Sequence, residues 1–242
     1  MRSPDFVRQR FLVVPAALWL LAGVSWLSGE AVSASAFPGY DYATNYISDL
    51  GVAQVGSFQG RAIDSPLHAL MNATFVTQGV CFAVAGVIVA VACTGVARRA
   101  VVTVGVVAVV HGVGLALVGT FHGSQGSVDD GTIVFHVLGA AAAIIGGNVV
   151  AIVAGAGSSA VGAPRAYRLT SVALGTAGLV ALVMLVVDSG SSVIDLLPDG
   201  VWERGAVYTV IAWELLSAVV VLTGLARSRR LAARRHVAGR QA

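Results

Sequence analysis

The chain has 242 residues, 57% of them hydrophobic and 11% charged, with a formal net charge of +3. Soluble domains carry about 25% charged residues, so a soluble domain of any size beside the apolar segments is excluded and one membrane domain is expected. The 15 basic residues are all arginine, and with so much Ala, Gly and Val this points to GC-rich codon usage and a bacterial source.

Residues 1–10 hold Arg2, Arg8 and Arg10 and read as a short N-terminal segment before the first apolar run, about 11–32. A helix needs about 20 apolar residues to cross a bilayer core, and this run qualifies. The stretch RQRFLVVPAALWLLAGVSWLSGEAVSASA also has the shape of a cleavable signal peptide ending at Ala36. Its apolar part is long and carries Trp19 and Trp26, which favours a retained span. Cleavage would remove one span and alter no orientation downstream.

The loop that follows contains YATNYISDLG, residues 42–51, a compact polar element in a greasy chain. Asn45 and Asp49 are placed on one side of a short interfacial helix, and Tyr42, Tyr46 and Leu50 on another. Tyrosines suit the headgroup level, and Gly51 can end the helix in the left-handed conformation. Asp49 could cap this turn or lie over a pocket. Further on, DSPLHAL starts the second run, with Asp64 or Ser65 as cap and Pro66 at the first helical position.

The remaining runs are about 66–94, 100–121, 132–155, 169–189 and 206–226, followed by a basic tail, 227–242. The expected fold is therefore all-α, a six-helix transmembrane bundle over residues 11–226. Cys81 and Cys93 share one run and would lie about 18 Å apart along a helix, too far to pair. Small residues at helical spacing mark close packing. His68, Asn72, Phe75, Gly79 and Ala83 form one stripe, His111, Gly114, Val118 and His122 a second, and Gly139, Ala143 and Gly147 a third. The second, third and fourth spans should pack through them. Gly112 with Gly114, and Gly146 with Gly147, are places where a transporter helix could break.

Arginines alternate between gaps. Arg98, Arg99, Arg165, Arg168 and the tail arginines 227–240 fall on the side of the N-terminus. The other gaps hold Arg61 and Arg204 among Asp41, Asp49, Asp64, Asp129, Asp130, Asp195, Asp199 and Glu203. The positive-inside rule then puts both termini in the cytoplasm of a cell (plasma) membrane. The partners expected are the bilayer and anionic lipid at the Arg-rich tail, not nucleic acid.

With that orientation His68, His122 and His136 share the outer level, and Asp188 closes the fifth span there. Three imidazoles with Asp49 have the chemistry of a zinc site; His68 and His136 could instead bracket a haem. No local ligand motif accompanies them, and histidines bonding loop backbone account for the same residues. His111 and Glu214 lie deeper, about 12–16 Å from their helix ends. A carboxylate there is costly unless neutralised or paired, so Glu214 is expected to face inward, with His111 as a partner at similar depth.

The elements NYISDLG before a Pro-initiated helix, NATFVTQGV, LVGTFHG and FHVLGA together resemble the membrane family catalogued as domain of unknown function 998, over roughly residues 11–226. The family pattern more often has Pro where His122 stands. The resemblance implies a polytopic layout of about six helices, similar to the Frag1/DRAM/Sfk1 group, and no reaction. Three readings follow. The chain is a non-enzymatic membrane protein that handles lipid, senses or binds a partner, with an outer-face polar pocket. Alternatively, Ser48, Asp49 and the outer histidines hold a metal-activated water for a lipid hydrolase or transferase at the outer leaflet. Or Glu214 and His111 carry protons for a transporter.

Overall fold

The computed structural model describes residues 12–93, 98–191, 193 and 196–241, with side chains of the last helix described as far as Arg227. Arg2, Arg8, Arg10, Asp195 and the tail side chains beyond Arg227 lie outside them. Helices α1 (Val13–Ala36), α2 (His68–Ala92), α3 (Arg98–Thr120), α5 (Ile133–Gly157), α6 (Arg165–Ser189) and α7 (Asp199–Gln241) form the bundle, and α4 (Gln125–Asp129) is a short helix between α3 and α5. Among the described residues six helices are long and apolar enough to cross a membrane. Valines at positions such as 106, 113, 183 and 186 are exposed on their outer faces, where lipid replaces the water that would penalise them.

Each long helix packs on the next, and α7 closes on α1, so the six make a ring; α7 also touches α5 across it. The small-residue stripes make the closest approaches. A Cβ on Gly79 would lie 2.8 Å from Gly112 O, and one on Gly112 2.6 Å from Gly79 O. These glycines bring the α2 and α3 backbones together, and neither helix breaks there. α5 likewise runs unbroken through Gly146 and Gly147, which face His111 and Val210.

Segment 37–67 caps one end of the ring, and here the sequence-based reading needs three corrections. The polar decapeptide holds a 3-10 turn, Ser48–Gly51, that dips into the core: Ile47 and Leu50 join the cluster of Trp26, Met71 and Phe75. Gly51 is not left-handed. A Cβ there would press on the Asn72 carboxamide oxygen, the movable end of that side chain, and lie 3.3 Å from the Phe75 ring. Finally, α2 starts at His68 with no side-chain cap, and Ser65 donates instead to the Leu50 carbonyl at 2.6 Å. Between turn and helix lies a hairpin, Gly56–Phe58 paired with Arg61–Ile63. Its Gln59 and Gly60 both have positive φ, 49° and 79°, the two-residue turn that suits strand twist.

Candidate functional site

Three polar or hollow regions follow one another down the ring. The first joins the cap to α1 and α7. Arg204 and Glu30, 7% and 1% exposed, pair at 3.1 Å. A buried charge needs this kind of compensation, and both groups have more. Arg204 donates to the carbonyls of Tyr42, Asn45 and Gly200 and to the Tyr40 hydroxyl. Glu30 accepts from Tyr208 and from the Trp26 indole. Glu203 accepts from the Ile47 backbone N–H, and Tyr46 donates to Asp199. Burial pushes the Tyr40 hydroxyl above its ordinary range.

Asp49 belongs to the same cap. Its carboxylate pairs with Arg61 at 2.8 Å and accepts from Asn45 and from the Tyr46 N–H. The Arg61 guanidinium also stacks 4.2 Å from the Tyr46 ring centroid. Asp49 therefore caps its own turn, one of the two roles open to it on sequence, and also latches the hairpin to that turn through Arg61. Ser48 opens the turn, half-buried.

The three histidines do share this end of the bundle. His68 Nδ1 lies 3.0 Å from Ser65 O, His136 Nδ1 donates to Phe121 O at 2.8 Å, and Asn72 donates to His122 Nε2 at 3.1 Å. Burial, then the nearby His68, lowers the His122 pKa below the ordinary imidazole value. Among the described residues no group of three or more His, Cys, Asp or Glu side chains is arranged to hold a metal ion. The imidazoles are spent on loop backbone and on Asn72. Asp188 ties the α6–α7 loop down, accepting from Trp202 Nε1 and from the backbone of Leu196 and Leu197.

The second region is the middle of the ring. Glu214 faces inward with no exposure, as expected, yet it meets His111 through Gln78 rather than directly. The third lies at the arginine-flanked end, a cavity of about 690 Å3 lined by all six long helices, with Trp19, Val89, Val104, Ala154, Tyr167 and Val220 among its walls. Cys81 and Cys93 are free and buried.

Sequence reasoning passed over Glu30, Gln78 and Arg204 as site residues. A signal existed for two of them. Glu30 is an acid at the end of the first apolar run, and Arg204 a lone arginine where the last run begins. Opposite charges at the same end of two helices invite pairing. Gln78 is one neutral amide in a long apolar run, and nothing in spacing distinguishes it.

No curated protein and no solved structure matches this chain. The family model described as Protein of unknown function (DUF998) matches residues 20–220. That span takes in α2 to α6, most of α1, the part of α7 that closes the ring, the cap, and the Glu30–Arg204 and Gln78–His111–Glu214 groups, and this chain, with six helices long and apolar enough to cross a membrane among its described residues, belongs to that family.

Proposed function

We propose that this protein holds the acyl chain of an anionic lipid between its helices at the arginine-flanked end. The cavity of about 690 Å3 carries the reading. Small-molecule sites run about 300–1,000 Å3 and are mostly apolar with a few polar groups, and here the walls are apolar apart from groups such as Tyr167 and Ser158. Arg98 and Arg99 begin α3, and Arg165 and Arg168 begin α6, next to wall residues Ala100 and Tyr167. Among the described residues the buried Arg168 Nε has no hydrogen-bond partner, and a free guanidinium N–H suits a headgroup phosphate. By the positive-inside rule this end is cytoplasmic, so the lipid comes from the inner leaflet of a bacterial plasma membrane, and the basic tail lies on the same side.

The test is native mass spectrometry of the protein in mild detergent, titrated with phosphatidylglycerol and phosphatidylcholine. Ala154→Phe, which fills the cavity, should weaken both lipids about tenfold, about 1.4 kcal/mol. Arg165→Gln with Arg168→Gln should remove the preference for phosphatidylglycerol and leave phosphatidylcholine unchanged. Undiminished binding in Ala154→Phe refutes the pocket.

Orientation has its own measurement. In a chain with Cys81→Ala and Cys93→Ala, a cysteine replacing Gln125, which is exposed on α4, should react with an impermeant maleimide on intact cells. One replacing the exposed Ser159 should react only after lysis. The reverse pattern would turn the bundle over.

A further inference from the structure

Gln78, His111 and Glu214 come from α2, α3 and α7 and are 1%, 3% and 0% exposed. The Gln78 amide stands between the other two. Its Nε2 donates to Glu214 Oε1 at 3.2 Å, and its Oε1 lies 3.0 Å from His111 Nε2. The other ring nitrogen, Nδ1, lies 2.6 Å from the Ala143 carbonyl oxygen. Carbonyl and amide oxygens only accept, so in this pattern both ring nitrogens donate. The imidazole is then a cation, and Glu214 is its counter-charge across the amide.

Turning the amide over gives a second complete pattern from the same atoms. Glu214 Oε1–H donates to the Gln78 oxygen, the Gln78 N–H donates to His111 Nε2, and Nδ1–H still donates to Ala143. Proton content is the same in both. One proton leaves the Glu214 carboxyl, one arrives on His111 Nε2, and the net charge stays zero. Separated charges in a buried site cost several kcal/mol per ion, so the neutral pattern is the resting one.

Two further observations point the same way. Glu214 Oε2 is buried with no hydrogen-bond partner among the described residues. As part of a carboxylate it would be an unpaired charged oxygen; as the carbonyl of an acid it costs far less. A cavity of about 30 Å3, room for about one water, lies against Gln78 and His111 and reaches Trp26. The Trp26 indole, one wall of this cavity, donates to Glu30 of the polar cap.

We propose that Gln78, His111 and Glu214 bind one exchangeable proton in the middle of the bundle, shared between α3 and α7 through the amide on α2. The other titratable groups around it are Cys81, on α2 with Gln78, and Tyr167 on α6, which hydrogen-bonds Ser217 on α7. α5 presents the Ala143 carbonyl. On α1, Glu30 lies behind Trp26, paired with Arg204. The proposal stands apart from the acyl pocket, which is tested by other residues and another readout.

The experiment follows the full-length chain in nanodiscs against pH, by infrared spectroscopy of carboxyl groups and by NMR of labelled histidine nitrogens. A protonated-carboxyl band should be present at neutral pH, vanish in Glu214→Gln and persist in Glu30→Gln. The His111 signals, assigned by their loss in His111→Asn, should change with the same midpoint as that band, as coupled sites do. Gln78→Met keeps the length of the side chain and removes the amide, and should split the midpoints by about one pH unit, a tenfold change in proton affinity. No band removed by Glu214→Gln, or midpoints still coincident in Gln78→Met, overturns the proposal. Should Gln78→Met fail to fold, His111→Asn decides: it hydrogen-bonds the amide but takes no proton, and an unchanged carboxyl midpoint refutes sharing.

Discussion

Arg204→Met is expected to be the most damaging single change in the cap, costing about 3–5 kcal/mol. It leaves the Glu30 carboxylate 1% exposed with its charge unpaired. It also strips the carbonyls of Tyr42, Asn45 and Gly200 of their shared donor. Those carbonyls belong to the cap and to α7, so the cap should come away from α1 and α7 together. The measurement is thermal unfolding of the detergent-solubilised protein, with proteolysis of segment 37–67 as a second readout. The double variant Glu30→Gln with Arg204→Met should be less damaged than the sum of the singles, because no buried charge is left without its partner. A cost below about 1 kcal/mol for Arg204→Met would mean that water reaches the pair.

Gly114→Ala should destabilise by about 1–3 kcal/mol, the range for overpacked cores. The sign is the diagnostic part, since Gly→Ala inside a helix ordinarily stabilises by about 1 kcal/mol. Here the new Cβ would lie 2.6 Å from both Ala143 N and Gly139 O, which are α5 backbone and cannot swing away. α3 and α5 must move apart, and His111 would lose its hold on the Ala143 carbonyl. A Cβ on Gly224 would meet nothing within 4 Å among the described residues, so Gly224→Ala serves as the control, neutral or slightly stabilising. Equal melting temperatures for wild type and Gly114→Ala would refute the close approach.

How much of this was legible beforehand depends on the range of the interaction. Span boundaries come from length and apolarity, which are local, and five of the six runs match their helices to within a few residues; α7 begins well before its run and continues past it to Gln241, through the segment set apart on sequence as a tail. The glycine stripes followed from helical period. The inward face of Glu214 followed from the price of a carboxylate in lipid. The cap was read less well. A decapeptide with two tyrosines looks interfacial by composition, but Leu50 and Ile47 are drawn into a core made by helices far away in sequence. Ser65 looks like a helix cap until the Leu50 carbonyl arrives beside it.

The sequence by itself determined that this is a membrane protein, where its six long apolar runs lie, and which helices touch through small residues. Those properties are set by hydrophobic length and by periodicity along one chain. Only the tertiary structure decided that Glu30 answers Arg204, that Asp49 belongs to Arg61, and that a glutamine stands between His111 and Glu214. Each of these pairings joins residues from different elements. In a low-dielectric interior a polar group is governed by whichever partner the fold brings within about 3 Å, and sequence spacing carries no record of that distance.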